Sequence, residues 1–356
     1  MRTNLSPFNA ARPFYHSLHQ KSRTFCNFFL RFSMVFAILA LLKEVIKMKR
    51  ILALFLAVLL MTGCSAGAQS AQEYVFCMDT VMDLTVWGPE SEEAVAEMSA
   101  LLLELEQTWS ATGEDSLVSA LNRGADPANE EQQTVLQAAL ALRDRTNGAF
   151  DPQLHGGIAA WGFPTDEYRV PTEAELAQAI ETKLWNLGAA VKGYAGQRLA
   201  EVLEQYDVDR AMLNLGGNVQ TYGEKPDGSP WLVAVQDPTF AEDYLGIIAV
   251  TGTASVVTSG DYQRYFEVDG VRYHHILDPK TGYPADSGLS SVTVICRDGM
   301  TADALSTALF VMGLEDAVEF WRESDDFEAV FVTKEGKIYA TEGANLSECV
   351  FEVIGR

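Results

Sequence analysis

From about residue 73 the chain moves between two hydrophobic periods. "VMDLTVWG" at 81–88 alternates apolar and polar positions, as a strand with one buried face does. Residues 91–109 then change to a period near 3.6, with Leu101, Leu102, Leu105 and Trp109 on one side, which predicts an amphipathic helix. A second helix is expected over 132–146, rich in Ala and Leu. A third is expected over 172–183, where Thr172 can cap and Glu175 holds the N3 place of a capping box. A fourth follows over 193–206. Then "AMLNLGG", "WLVAVQD", "LGIIAVTG", "ASVVTSG", "YFEVDG" and "SSVTVIC" read as strands. The apolar helix "DALSTALFVMG" at 303–313 comes next, then a helix near 315–322 and final strands. Helices and strands are grouped rather than alternating. That predicts an α+β fold over residues 73–356, one large domain with a mainly antiparallel sheet packed by helices.

The beginning of the chain has a different pattern. "MKRILALFLAVLLMTGC" starts at Met48 with two basic residues, continues as an apolar run and ends in small residues. This is the layout of a signal peptide over 48–63, and the run is too short for a comfortable membrane span. Its end, "LMTGC", resembles a bacterial lipobox, in which the Cys (here Cys64) is lipidated and becomes the new N-terminus. An ordinary secretory signal with an incidental Cys is the alternative. Residues 1–47 read as an upstream leader or a mis-assigned start, and 64–72 as a lipidated tether. The expected location is the extracytoplasmic face of the cell membrane, held by a lipid anchor.

Charge sharpens the picture. Residues 1–63 hold nine of the 26 basic residues and one of the 49 acidic ones, leaving 17 basic against 48 acidic in the rest, a net of −31. So acidic a surface argues against nucleic acid as a partner, since phosphate contacts need clustered Lys and Arg. An anionic ligand would need a local device: a cation, a helix N-terminus or a placed lysine. Cys77, Cys296 and Cys349 follow the leader with no CxxC and no metal-type spacing, and read as small apolar residues.

Several strings carry chemistry. On a helix, Asp303 and Thr307 stand one turn apart on one edge. A carboxylate and a hydroxyl side by side suit a hard cation such as Mg2+, which accepts few protein ligands and completes its shell with water and phosphate. From the helix alone, the commoner arrangement is that Asp303 caps and Thr307 bonds back to its own helix. "NLGAAVKGYAGQRL" is a turn opening a helix, where Gly188 and Gly193 allow close backbone approach and Lys192 can meet a phosphate. "HHILDPKTG" places two adjacent histidines before a turn, so His275 reads as a base or a structural histidine, and Asp278 as its partner or a turn residue.

Taken together and in order, "CMDTVM", "GAFDPQLHGGIAAWGF", "NLGAAVKGYAGQRLAEVL", "LNLGGNVQTYG", "TSGDYQRYF", "HHILDPKTGYP" and "MTADALSTALFVMG" resemble the ApbE family, the FAD:protein FMN transferases. The resemblance implies an ApbE-like, T-fold-related fold. It implies transfer of FMN from FAD to a threonine or serine hydroxyl of a target protein, with release of AMP. The target would be a flavoprotein such as a subunit of a membrane redox complex. The resemblance places Mg2+ on Asp303, Thr307 and the carbonyl of Ala189. It places flavin-nucleotide contacts on Met78, Ala149, Phe150, Asp151, Asn186, Lys192 and Leu277. It makes His275 and Asp278 the polar pair beside the acceptor hydroxyl, with Ser259, Gly260 and Arg264 shaping the pocket by the diphosphate. Two departures stand out. Asn186 replaces the family's usual Asp, and Thr112 stands where the family has an aromatic, with Trp109 a candidate substitute. The alternative activities are hydrolysis of FAD to FMN and AMP, and flavin binding without chemistry.

Overall fold

The computed structural model describes residues 69–240 and 243–356; the expected signal peptide over 48–63 and the expected lipidation position, Cys64, lie outside them. A hairpin of β1 (Ser70–Cys77) and β2 (Thr80–Trp87) opens the fold. Helices α1 (Ser91–Trp109), α2 (Leu117–Asn122), α3 (Glu130–Arg145), α4 (His155–Ala160), α5 (Glu173–Glu181) and α6 (Val191–Leu203) follow. Next come β3 (Arg210–Leu215), β4 (Val219–Tyr222), β5 (Trp231–Gln236), β6 (Tyr244–Val250) and β7 (Ala254–Gly260). The hairpin β8 (Tyr265–Val268) and β9 (Val271–His274) leads to β10 (Leu289–Cys296). Helices α7 (Gly299–Met312) and α8 (Leu314–Arg322) precede β11 (Phe327–Thr333), β12 (Ile338–Thr341), β13 (Leu346–Ser347) and β14 (Glu352–Ile354).

Nine strands pair in the order β1-β2-β3-β4-β7-β10-β11-β12-β14. Every pairing is antiparallel except that of β12 with β14. The expected α+β architecture is therefore the observed one. One sheet face carries the helices. The 3.6-period stripe of α1 buries Met98, Leu102, Leu105 and Trp109 over Val75, Met82, Leu84 and Leu213. Helix α7 is apolar on nearly every side because it runs between α6, β7 and β10. Its Leu305 and Leu309 are wholly buried, each contributing about 2 kcal/mol through the area removed from water. The second face is partly covered by the small sheet β13-β6-β5, which closes a separate apolar layer around Trp231, Val233 and Ile248.

The helix boundaries follow their caps. The Thr172–Glu175 capping box is present, and α5 starts directly after it. Asn129 caps α3 two residues earlier than periodicity suggests. Helix α7 begins at Gly299, because the Asp298 side chain accepts from the Thr301 N–H. Asp303 is therefore not the cap of its helix; it sits a full turn inside. Strand β1 takes in residues 70–72, read above as tether. Their small and polar side chains hide a ladder to Thr85–Trp87 that only the partner strand reveals. Burial raises the Cys77 thiol to about 12, with Glu106 adding to the effect, and raises that of Cys296 to about 11. No described helix is long and apolar enough to cross a membrane.

Candidate active site

The site is organised where two helix N-termini touch. Helix α6 meets α7 through Gly193 and Gly299, backbone against backbone. A Cβ on Gly193 would lie 1.9 Å from the Gly299 carbonyl oxygen, and one on Gly299 would lie 2.2 Å from that of Gly193. Only hydrogen fits at either position. This contact brings Asp303 of α7 against the first turn of α6, where its Oδ2 accepts from the Gly193 N–H at 2.9 Å. Ala190, the residue before α6, supplies no side-chain cap, so a carboxylate from a neighbouring helix does that work.

The turn before α6 leaves a second group open. The Gly193 N–H belongs to the first turn of α6, where an N–H has no acceptor within its own helix, and Asp303 supplies one. Here the Ala189 oxygen receives no hydrogen bond from a described residue. Asp303 Oδ1 has no protein donor among the described residues either, although Asp303 is buried. Thr307 Oγ1 lies 3.2 Å from Ser259 Oγ, which is held at 2.7 Å from Ser306 Oγ. Ser306 in turn donates to the Asp303 carbonyl at 2.8 Å. Ala189, Asp303 and Thr307 all line one cleft of about 460 Å³, with Lys192 at the mouth of α6. Lys192 has no ion-pair partner among the described residues.

The facing wall comes from the segment after β9. The Arg264 carbonyl accepts from the backbone N–H of His275 at 3.0 Å and from its ring Nδ1 at 3.1 Å. That fixes the tautomer with the proton on Nδ1 and leaves the Nε2 lone pair without a partner among the described residues, in a ring that borders the cleft. Burial holds the imidazole down to about 4, so it is neutral at physiological pH. Leu277 lines the same wall. Asp278 does not: its carboxylate accepts from the Lys280 N–H and the Thr281 hydroxyl. Both oxygens are thus committed to the turn at 278–282, and the residue is brought to the turn rather than to the cleft. Arg264 borders the cleft, while its guanidinium pairs with Asp166 and bonds to the Phe163 carbonyl, tying down the loop after α4.

Ala149, Phe150, Asp151 and Asn186 also reach the cleft. Phe150 is a core residue, 2% exposed, so it offers only an edge. Asp151 accepts from the Gln153 N–H and pairs with Lys183 at 3.0 Å, in an Asx-turn before α4. Asn186 Oδ1 accepts from the Gly188 N–H at 2.9 Å, shaping the turn that presents Ala189. At this position an amide makes the turn without the charge an Asp would bring. Thr112 and Trp109 border the cleft as well, and the Trp109 ring rests edge-on against Tyr194 at 6.3 Å.

Met78 enters from the β1–β2 hairpin. Its two-residue turn has φ of 51° at Met78 and 59° at Asp79, both left-handed and neither glycine. Such a turn ordinarily carries Asn-Gly. The strain is held by Glu106 of α1, whose Oε1 accepts from the Met78 N–H at 2.7 Å. Sequence reasoning missed Glu106, which reads as one of the polar positions of α1. Asp79→Gly should relieve about 1 kcal/mol of strain and raise Tm by about 2 °C in thermal unfolding. An unchanged or lower Tm would show the turn to be unstrained.

Comparison with known proteins places these features in a wider set. Residues 78–331 match the ApbE family. A FAD:protein FMN transferase of Treponema pallidum is 30% identical over 292 residues, covering 71% of this chain and 81% of that protein. The solved ApbE protein of Thermotoga maritima superposes with a TM-score of 0.71 at 32% identity, over 77% of this chain and 97% of that one. The flavin transferase ApbE of Vibrio cholerae gives a TM-score of 0.69 at 27% identity, over 78% and 98%.

Proposed function

We propose, since this chain belongs to the ApbE family, that it is an enzyme transferring the FMN half of FAD to a hydroxyl of a second protein, with release of AMP. The observation that carries the reading is the meeting of three oxygens, one lysine and one neutral imidazole in a single cleft.

A threonine oxygen attacks the phosphorus on the FMN side of the diphosphate, and the bond to the AMP oxygen breaks. Such transfers pass through a loose transition state, so positioning and charge stabilisation do most of the work. His275 Nε2 can accept the hydroxyl proton. An imidazole near 4 is a weak base, which suits proton transfer late in the step, once the oxygen has bonded to phosphorus. The Arg264 carbonyl keeps Nδ1 protonated and the ring oriented. Lys192 and the N-terminus of α6 face the charge that moves toward the leaving group.

Among the described residues no three His, Cys, Asp or Glu side chains gather as a metal cluster. The residues present nonetheless fit Mg2+. The Ala189 carbonyl, Asp303 Oδ1 and Thr307 Oγ1 are hard oxygens, two of them without a protein donor, and three protein ligands leave room for diphosphate oxygens. When bound, the ion would act as Lewis acid on the phosphate oxygens.

The same proposal places the enzyme on the extracytoplasmic face of the cell membrane through a lipid on Cys64. It takes a threonine of a membrane redox subunit as the acceptor. The layout of residues 48–64 supports the anchor, and Cys64→Ala should move the protein to the soluble fraction.

The test is direct. Purified protein is mixed with FAD, Mg2+ and a threonine-bearing acceptor peptide, and the peptide is weighed. Added FMN mass on the peptide is expected. Free FMN without it would make the enzyme a hydrolase, and untouched FAD a flavin-binding protein. The rate should hold from pH 8 to about pH 5 and fall only near pH 4, because His275 stays unprotonated until its lowered pKa is reached. A fall centred near 6.5 would mean that the titrating base is an ordinary exposed histidine.

A further inference from the structure

One string in the sequence, "LNLGGNVQTYG", has no role in the reading above. It forms β3, a glycine turn and β4, and it carries Asn218 at the foot of β4. Asn218 is only 5% exposed, yet it borders the cleft. Its backbone is fixed, since the Leu215 N–H donates to its carbonyl at 2.8 Å. Its side-chain amide bonds to no described residue, and the nitrogen is fully buried without an acceptor. A buried amide without a partner costs about 1–3 kcal/mol, so its presence on a cleft wall asks for a ligand atom to complete it.

The fold shows which part of a ligand that would be. A Cβ on Gly196 of α6 would touch Gln220 of β4 at 3.3 Å, so β4 runs beneath α6. Asn218 lies two residues before Gln220, on the same sheet face, and lines the cleft together with Ala189 and Lys192 from the start of α6. The adjacent strand β7 pairs Val256 with Val219 and Ser255 with Gln220. Its own alternation puts Ser259, the partner of Thr307, on that face too. Asn218 therefore belongs to the end of the cleft that holds Ala189, Lys192 and Thr307.

Resting on the reading that FAD occupies the cleft, we propose that Asn218 is a substrate-binding residue whose amide donates to a diphosphate oxygen of FAD. A diphosphate offers only acceptors, and an amide adds a donor to that end of the cleft without competing for the cation. The carboxylates of Asp303 and Glu106 in the same cleft cannot serve this purpose.

The test measures binding apart from turnover. FAD and riboflavin are titrated, by flavin fluorescence with Mg2+ present, into wild type, Asn218→Ala and Asn218→Asp. FAD affinity should fall about 10-fold in Asn218→Ala. It should fall at least about 100-fold in Asn218→Asp, where a carboxylate faces phosphate. Riboflavin, which has no diphosphate, should bind all three alike. Without ligand, Asn218→Ala should melt no lower than wild type, because it removes an unpaired amide. Wild type that binds FAD beside an Asn218→Ala of equal affinity would overturn the proposal alone. Equal losses for riboflavin would do the same. Wild type that takes up no FAD would overturn the FAD reading itself.

Discussion

Replacing Gly193 with alanine is expected to lower kcat/KM for FMN transfer by about 100-fold and stability by about 3 kcal/mol. The added methyl would stand 1.9 Å from the Gly299 carbonyl oxygen and 2.7 Å from Asp303 Cβ. Neither neighbour is the free end of a flexible chain, so the helix ends must part. Parting them breaks the Gly193–Asp303 hydrogen bond and moves the Ala189 carbonyl relative to Asp303. Steady-state kinetics beside thermal unfolding would check both effects. Wild-type activity in a stable Gly193→Ala protein would mean that the helix junction does not set the site.

Asp303→Asn should separate the cap that this side chain supplies from its proposed hold on Mg2+. The amide keeps an oxygen that can accept from the Gly193 N–H, so the fold should survive with little change in Tm. It loses the charge, and transfer should fall by roughly two to three orders of magnitude with a weakened response to added Mg2+. Asp303→Ala loses the cap as well and should cost about 1 kcal/mol more in stability. Rates measured across a Mg2+ series in the three proteins decide the matter. An Asp303→Asn enzyme at full rate would leave Asp303 with a capping duty alone.

Much of this site was legible in the order of motifs. Met78, Ala149, Phe150, Asp151, Asn186, Ala189, Lys192, His275, Leu277, Asp303 and Thr307 come from distant parts of the chain and border one cleft. The alternation of β2 and the stripe of α1 appear as expected. What was hidden depends on neighbours. From its helix alone Asp303 reads as a cap, yet it caps another helix, because its own starts earlier, at Gly299 behind the Asp298 cap. Asp278 is expected as the partner of His275, with a turn residue as the alternative, and its carboxylate accepts from the Lys280 N–H and the Thr281 hydroxyl within the turn. Glu106 is ordinary in its helix and matters only because a strained hairpin lies above it. The Gly193–Gly299 contact joins residues far apart in the chain, and no local pattern shows such a meeting.

The thiols of Cys77 and Cys296 lie inside the fold and keep their protons at neutral pH. A thiol becomes a nucleophile only as thiolate, so neither is available to oxidants or to exchange with other sulfhydryls. Cys349, half-buried, is the described cysteine that a maleimide dye would reach first. The domain should accordingly tolerate dithiothreitol and diamide alike, and a host with an oxidising or a reducing interior should yield the same folded product.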